Sequence, residues 1–172
     1  MKNYILALAG VGLFSFVLVD QAEAVTRTQK TFGNWRVDCS DQSGANRCSL
    51  RYALLNSKTK RVAFSWTIIP KSKPEGPSKA IIRTPMGVAL VDGVSIVFPA
   101  QKPIQLSYLT CLQRAGCIAE FDYADAWNKS LEAYPTMTIS YNRLKGAPIK
   151  HEVSLKNFSE AYKYYQTQNK SK

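Results

Sequence analysis

Short segments in which apolar and polar side chains alternate make up most of this chain, and they constrain its fold more than any other feature. The clearest segment has Trp35, Val37 and Cys39 alternating with Arg36 and Asp38. This is the period of a strand with one buried and one solvated face. The other alternating segments lie at residues 48–54, 62–68, 81–84, 88–91, 94–98, 104–108, 117–121, 137–141 and 149–155. Polar turn-forming stretches separate them, so we predict a mainly β chain whose first three strands form a meander.

Two segments break this period and predict helices. Residues 124–134 carry apolar side chains at helical spacing and end before Pro135. Asn157 and Glu160 have the spacing of a capping box, and an apolar helical face follows them. Residues 167–172 contain nothing to bury and are expected to form a flexible basic tail. Many short strands with two short helices predict an antiparallel β-sandwich, immunoglobulin-like or jelly-roll-like, with a closed barrel as the alternative.

Two loops carry more specific predictions. Asp92 and Gly93 lie between two apolar segments and favour a hairpin with a type I′ turn. Residues 70–79 contain three prolines, one glycine and three lysines. Because proline has no backbone N–H to donate, this stretch is expected to be an exposed basic loop and not a central strand.

The first residues have the form of a secretory signal peptide. Lys2 precedes an apolar run over residues 5–19, and Ala22 and Ala24 supply the small side chains that signal peptidase accepts. We expect cleavage after Ala24, export through the Sec pathway, and one domain over residues 25–166. The apolar run is shorter than the roughly 20 residues of a bilayer-spanning helix, so the mature chain is not expected to span a membrane. The predicted location is the periplasm, the outer cell envelope or the extracellular space.

The cysteines predict two disulfide bonds. An even number of cysteines in an exported chain argues for disulfides, because the compartment outside the inner membrane is oxidising. We favour the connectivity that joins sequence neighbours, because each such pair flanks a predicted hairpin loop. These pairs are Cys39–Cys48 and Cys111–Cys117. A metal site is the weaker interpretation, because neither pair has C-x2-C spacing and His151 is the only histidine. No metal or cofactor is expected.

The chain is strongly basic, with 23 Lys and Arg against 12 Asp and Glu and a formal charge of +11. Basic residues concentrate near one predicted turn and near the proline-rich loop, and two such groups side by side would attract polyanions. The candidate binding residues are Arg51, Lys58, Lys60, Arg61, Lys71, Lys73, Lys79 and Arg83. Export argues against nucleic acid, so the expected partner is a host-cell receptor, an anionic glycan or an anionic lipid. The alternative is that scattered charges only keep the protein soluble.

Five motifs occur in an order that is typical of one protein family. They are Phe32–Cys39, Pro85–Val88, Val91–Gly93, Cys111 with Gly116–Ala119, and Val153–Phe158. Together they resemble the invasion-associated locus B family of bacterial proteins, over residues 31–165. Asn157 departs from the family, which usually has Gly at this position. Asn tolerates positive φ better than most residues, so we expect the helix start to survive.

The resemblance implies an exported β-sandwich without established enzymatic activity, from a family whose founding members are associated with invasion of erythrocytes. The leading hypothesis is a non-enzymatic, virulence-associated protein that assists attachment to host cells or their invasion through surface recognition. The alternative is a periplasmic protein that maintains the envelope and affects invasion indirectly. The sequence leaves the oligomeric state open.

Several residues that could carry chemistry have simpler interpretations. His151 alternates with apolar residues, which predicts a packing histidine on a strand and not a catalytic one. Glu120 and Asp122 lie on one face of a strand with Asp125 nearby, which faintly resembles the carboxylates of a glycoside hydrolase. Solvated surface acids are the preferred interpretation of this group.

The aromatic residues also have candidate roles. Trp35, Trp66 and Trp127 could stack on carbohydrate, but each lies on the apolar phase of its own segment. We therefore predict that they pack in the core. Tyr164 is predicted to point away from the apolar face of the last helix and to offer an exposed contact.

Overall fold

The computed structural model describes residues 27–42, 45–71 and 76–170. The predicted signal peptide at residues 1–24, Lys73 and the last two residues of the chain lie outside this description. The strands, in chain order, are β1 (Arg27–Phe32), β2 (Trp35–Gln42), β3 (Ala45–Leu55), β4 (Val62–Ile69), β5 (Ser78–Thr84), β6 (Val94–Val97), β7 (Ile104–Leu106), β8 (Thr110–Leu112), β9 (Gly116–Tyr123), β10 (Thr136–Tyr141) and β11 (Ile149–Ser154). The helices are α1 (Asp125–Ala133) and α2 (Phe158–Lys170).

The strands form two antiparallel sheets. The large sheet has seven strands in the order β1-β2-β3-β4-β5-β9-β8, and the small sheet has four in the order β11-β10-β6-β7. The inner face of the large sheet carries the fully buried Trp35 and Trp66. The small sheet covers part of this face, where the Tyr141 hydroxyl donates to the Ala63 carbonyl oxygen at 3.0 Å. Helix α2 packs over β1, β2 and β3, with the rings of Phe158 and Trp35 5.0 Å apart.

This arrangement is an antiparallel β-sandwich, as predicted, and not the closed barrel that was the alternative. The predicted meander is β2-β3-β4, with its strands paired in sequence order. Burial of the inner face drives the arrangement, because alternate residues of every strand in the meander are removed from water. The outer face of the large sheet is left without a covering element in the described part of the chain.

The two disulfides confirm the predicted pairing of sequence neighbours. Cys39 is joined to Cys48, and Cys111 is joined to Cys117. Each bond links directly opposed residues on adjacent antiparallel strands, β2 with β3 and β8 with β9. The Cα atoms are 3.9 Å and 4.0 Å apart, nearer to the spacing of a non-hydrogen-bonded cross-strand pair than to the roughly 5.5 Å of a hydrogen-bonded one.

Both predicted helices are present, but the second begins differently from the prediction. Helix α1 lies within the predicted range of 124–134. Asn157, directly before α2, has a φ of 65°. A capping-box residue would be extended, so the capping-box interpretation is wrong. Asn157 instead occupies the left-handed region, which explains how it replaces the glycine that is usual in the family motif.

Helix α2 continues through Lys170, so the flexible tail predicted from residue 167 is wrong for residues 167–170. The side-chain oxygen of Asn169 accepts from the backbone N–H of Cys48 at 3.0 Å, and its Nδ2 donates to the Cys48 carbonyl oxygen at 3.2 Å. By register, Cys48 would face Pro70, which follows the end of β4 and has no N–H. Asn169 Nδ2 therefore supplies the donor that Pro70 lacks, and the side-chain oxygen of Asn169 satisfies the Cys48 N–H.

The predicted hairpin at Asp92 and Gly93 is wrong. Leu90–Asp92 form one turn of 3-10 helix, and Val88 pairs with the loop after β10 through an isolated bridge. Gly93 has φ 65° and ψ −153°, a conformation open essentially to glycine alone. A Cβ atom there would collide with the carbonyl oxygen of Leu106 on β7. The glycine is required by the close approach of β7, and not by a type I′ turn.

Strand β1 has no counterpart among the predicted strands. Its sequence has one apolar residue, Phe32, and therefore no alternation that a pattern could reveal. It forms because all six of its residues pair with β2. Lys79, predicted to lie in the proline-rich loop, belongs instead to β5.

We predict that Asn169→Ala lowers the free energy of unfolding by about 1–3 kcal/mol, because it leaves the backbone of Cys48 without partners in a partly buried position. The measurement is urea denaturation of the oxidised protein. Gln168→Ala, on the same helical turn, is the control and should change stability by less than about 0.5 kcal/mol. An unchanged stability of Asn169→Ala, or an equal loss in the control, would show that the hydrogen bonds to Cys48 do not stabilise the fold.

Candidate anion-binding surface

The outer face of the large sheet brings arginines from different strands together. Successive side chains of a strand point to opposite faces of the sheet, so alternate residues of each strand lie on this face. It is the solvated face, because the small sheet and α2 cover the other one. Arg36 on β2 and Arg51 on β3 are directly opposed. Arg83 on β5 is opposed to Ser65 of β4, the strand that lies next to β3. We refer to Arg36, Arg51 and Arg83 as the arginine cluster.

Arg51 lies at the centre of the arginine cluster. Its side chain is half-buried, and its Nε atom is buried without a hydrogen-bond partner among the described residues. Burial lowers the pKa of Arg51, the positive charges of Arg36 and Arg83 lower it further, and Asp38 raises it. Because arginine stays protonated at physiological pH, these contacts concentrate positive charge at one point of the sheet.

Carboxylates compensate the arginine cluster only in part. Arg36 donates from Nε to Asp38 Oδ2 at 2.9 Å, and both side chains are partly exposed. Within the described ranges, neither Arg51 nor Arg83 has a carboxylate at salt-bridge distance. Like charges directly opposed across a sheet are destabilising, so the pairing of Arg36 with Arg51 costs the fold stability.

The acidic pair on β9 is engaged by a lysine of β5. Lys79 Nζ lies 2.6 Å from Asp122 and 3.4 Å from Glu120. The hydrogen bond to Asp122 is the largest cause of the raised pKa of Lys79. Lys79 is therefore a poorer candidate for binding an external anion than the sequence indicated. The side chain of Asp125, the third acid of the predicted group, lies outside the description.

The other predicted cations lie away from the arginine cluster. Three are exposed in the turn between β3 and β4: Lys58, Lys60 and Arg61. Asn56 holds this turn, because its side-chain oxygen accepts from the backbone N–H of Lys58 at 3.0 Å. Lys71 follows β4 at the opposite end of the sheet, and Lys73 is outside the described residues. The seven predicted residues that the structure describes do not form one patch, although the two arginines of β3 and β5 do come together.

The outer face also includes arginines that the sequence pattern did not single out. Arg36 was identifiable, because it alternates with buried residues of β2. Arg27 and Arg47 line a shallow groove of about 660 Å³ at the end of the sheet near the first disulfide, together with Asp38. The alternation along β3 places Arg47 on this face, whereas Arg27 lies on β1, which has no predictive pattern.

His151 is a packing residue, as predicted. Its ring stacks on Phe64 with centroids 5.4 Å apart, and its Nε2 lies 3.2 Å from the Tyr141 hydroxyl. Since that hydroxyl donates to the Ala63 carbonyl, the histidine Nε2–H is the donor to the tyrosine oxygen. Burial lowers the pKa of His151, so its neutral form is favoured in the folded protein.

The aromatic predictions are confirmed for the tryptophans and wrong for Tyr164. Trp35 and Trp66 are fully buried, and Trp127 packs against Trp66 with ring centroids 5.9 Å apart. Tyr164 is half-buried, since its ring lies 5.5 Å from that of Phe32. The ammonium of Lys30 lies 4.5 Å from the centre of the tyrosine ring. Strand β1, absent from the predictions, supplies both contacts.

The described residues contain no group of three or more His, Cys, Asp or Glu side chains that could hold a metal ion. None of the helices within ranges 27–42, 45–71 and 76–170 is long and apolar enough to cross a membrane.

The two antiparallel sheets, the strand-linking disulfides and the C-terminal helix define a class of disulfide-stabilised β-sandwich proteins. The fold is similar to that in the crystal structure of invasion associated protein B from Bartonella henselae, with a TM-score of 0.71 over 83% of this chain and 97% of that chain. At 21% identity this likeness shows the fold. No curated protein matches the sequence. The family model for the invasion associated locus B protein matches residues 35–166, so the chain belongs to the invasion associated locus B family.

We predict that the free energy of unfolding falls as the pH is lowered from about 7 to about 5. The pKa of His151 is lower in the folded state than its unfolded value of about 6.5, so protonation favours the unfolded chain and stability is lost below that value. Denaturation curves across this range provide the measurement. His151→Phe, which keeps the ring stacking, should remove the loss. A similar slope in both proteins would exclude His151 as its cause.

Proposed function

We propose that this protein is exported and acts without catalysis, assisting attachment to host cells or their invasion by binding anionic glycans through the arginine cluster. Membership of the invasion associated locus B family supports a virulence-associated role in general terms. The observation that carries the proposed mechanism is Arg51, whose buried Nε has no partner in the described chain although two further arginines lie close to it.

The chemistry of the arginine cluster suits sulfate or carboxylate groups presented on a sugar. A guanidinium binds such groups through paired hydrogen bonds, which are stronger than neutral ones and fix the orientation of the anion. Arginines on neighbouring strands lie on a rigid sheet, so little further ordering is needed when they bind. Binding would also relieve the repulsion between Arg36 and Arg51.

The residues that could act in catalysis already contact other parts of the fold, which supports a non-enzymatic role. The four cysteines are joined in disulfides, so none of them is a free nucleophile. His151 stacks against Phe64 inside the sandwich. Glu120 and Asp122 share Lys79 as an ion-pair partner, at 3.4 Å and 2.6 Å, so both carboxylates already have a partner within the fold.

We predict that Arg51→Gln, combined with Arg36→Gln and Arg83→Gln, weakens binding to immobilised heparin and to erythrocyte ghosts by about tenfold or more at physiological salt. The matched control removes three exposed charges from other surfaces, by changing Lys102, Lys129 and Lys163 to Gln. The two variants have the same net charge, so weaker binding of the arginine variant alone would show that the arginine cluster is the binding site. Retention on heparin across a salt gradient provides the measurement.

Equal losses in the two triple variants would show that binding depends on net charge alone, and would favour the envelope-maintenance alternative. Arg51→Lys keeps the charge and removes the paired hydrogen bonds. It should retain only part of the binding, whereas full retention would exclude guanidinium recognition. Circular dichroism of every variant establishes that the sandwich is intact.

The location can be tested separately by protease treatment of whole bacteria. A protein displayed on the surface is expected to be degraded, while a periplasmic control protein stays intact. Survival of this protein together with the control would overturn a direct role in attachment, and would place its action inside the envelope.

A further inference from the structure

The exposed large apolar side chains gather at one end of the sandwich. This is the end where β3 and β5 finish and β4 and β9 begin, and we refer to it as the apolar end. Six side chains in its loops and at the end of β8 are between 51% and 96% exposed: Met86, Leu90, Val91, Leu109, Leu112 and Leu144. Single exposed apolar residues scattered over a surface are normal. Their concentration at one end is the unusual feature, and it indicates a docking surface.

Backbone hydrogen bonds fix two of these loops to each other. The N–H of Leu144, between β10 and β11, donates to the Gly87 carbonyl oxygen at 3.0 Å. The N–H of Ala89 donates in turn to the Asn142 carbonyl oxygen at 2.9 Å. Val91, which is 96% exposed, is therefore presented by a loop that is held in place at its base.

The β8-β9 hairpin joins the same end. Gly116, at the turn of the hairpin, packs so closely on the Thr84 carbonyl that a Cβ atom would collide with it, and that atom would also lie 3.7 Å from Pro85 Cα. This contact sets the hairpin beside the loop that carries Met86. Leu112 lies at the tip of the hairpin, directly after the disulfide-bonded Cys111.

Cations surround the apolar side chains. The turn from β3 to β4, the hairpin and the loop between β10 and β11 carry them: Lys58, Lys60, Arg61, Arg114, Arg143 and Lys145. In the described loops at this end, the single acidic residue is Asp92, and its carboxylate accepts from the side chain of Asn142 at 3.0 Å. Leu144 lies directly between two of the cations in sequence.

We propose that the apolar end docks on the surface of an anionic phospholipid bilayer. Apolar loop tips ringed by cations complement such a surface, since the apolar groups enter the boundary between headgroups and acyl chains while the cations meet anionic headgroups. A second copy of this chain fits the surface poorly, because it would bring the same cations against each other. The proposed glycan site is on the outer sheet face, so this inference stands independently of it.

The first test is flotation with vesicles of phosphatidylcholine, alone and mixed with phosphatidylglycerol. The protein is expected to bind the anionic vesicles and to be largely free with phosphatidylcholine alone. Val91→Ser combined with Leu144→Ser should weaken binding to anionic vesicles about tenfold or more, because two exposed side chains lose their apolar burial. The same variant should keep its retention on heparin, which separates this surface from the arginine cluster.

The cations are tested by changing Lys58, Lys60 and Arg61 to Gln, with the variant of Lys102, Lys129 and Lys163 as the control of equal charge. The first is expected to lose vesicle binding and the second to keep most of it. Equal losses, or unchanged binding of the double serine variant, would overturn the proposal in favour of unspecific charge attraction.

The orientation is tested with an environment-sensitive fluorophore on a single introduced cysteine. A label at Val91→Cys should shift its emission to the blue when anionic vesicles are added, while a label at Lys129→Cys, on α1 at the other end of β9, should not. Equal shifts at both positions would overturn the proposal. Self-association without vesicles that Val91→Ser abolishes would assign the apolar end to a second copy instead, and would also overturn it.

Discussion

The burial of one face of the large sheet is the constraint on which the rest of the structure depends. Seven strands expose two faces, and the described part of the chain has a small sheet and one long helix to cover them. Both are used on the inner face, where Trp35 and Trp66 lose all contact with water. The outer face can then tolerate Arg36 and Arg51 side by side, because its side chains need not pack against another layer. Because only the inner face is covered, the same arrangement produces both the buried core and the solvated face that carries the candidate glycan site.

The two proposed surfaces differ in the kind of structure that carries them. Strand register fixes the arginine cluster, which leaves little freedom in the spacing of its charges. Loops form the apolar end, and hydrogen bonds between loops and one disulfide replace the sheet as its support. A rigid array of guanidinium groups suits recognition of a defined anion, whereas protruding apolar loops suit a fluid surface without fixed geometry.

Local patterns in the sequence predicted the structure correctly where neighbouring residues determine it. Alternation around Trp35 identified β2 and its buried side, and short sequence separation identified both disulfides. Prediction failed where distant parts of the chain decide. The approach of Leu106 determines the conformation of Gly93, and the register of β5 with β9 places Lys79 opposite Asp122. The predicted anion site combined cations that are close in sequence. In the structure, strand pairing separates them, because Arg51 on β3 lies opposite Arg36, whereas Lys79 on β5 lies opposite Asp122. The sequence of β1 has no alternation that would predict a strand. This segment is a strand because all of its residues pair with β2.

The side chain of Asn169 joins the last turn of α2 to Cys48 on β3, across a sequence separation of 121 residues. Helix α2 also covers Trp35, close to the start of the domain. During synthesis β1, β2 and β3 therefore lack the helical part of their covering layer until α2 has been made. A truncation that removes α2 is therefore expected to expose Trp35, because one contact joins the two ends of the domain.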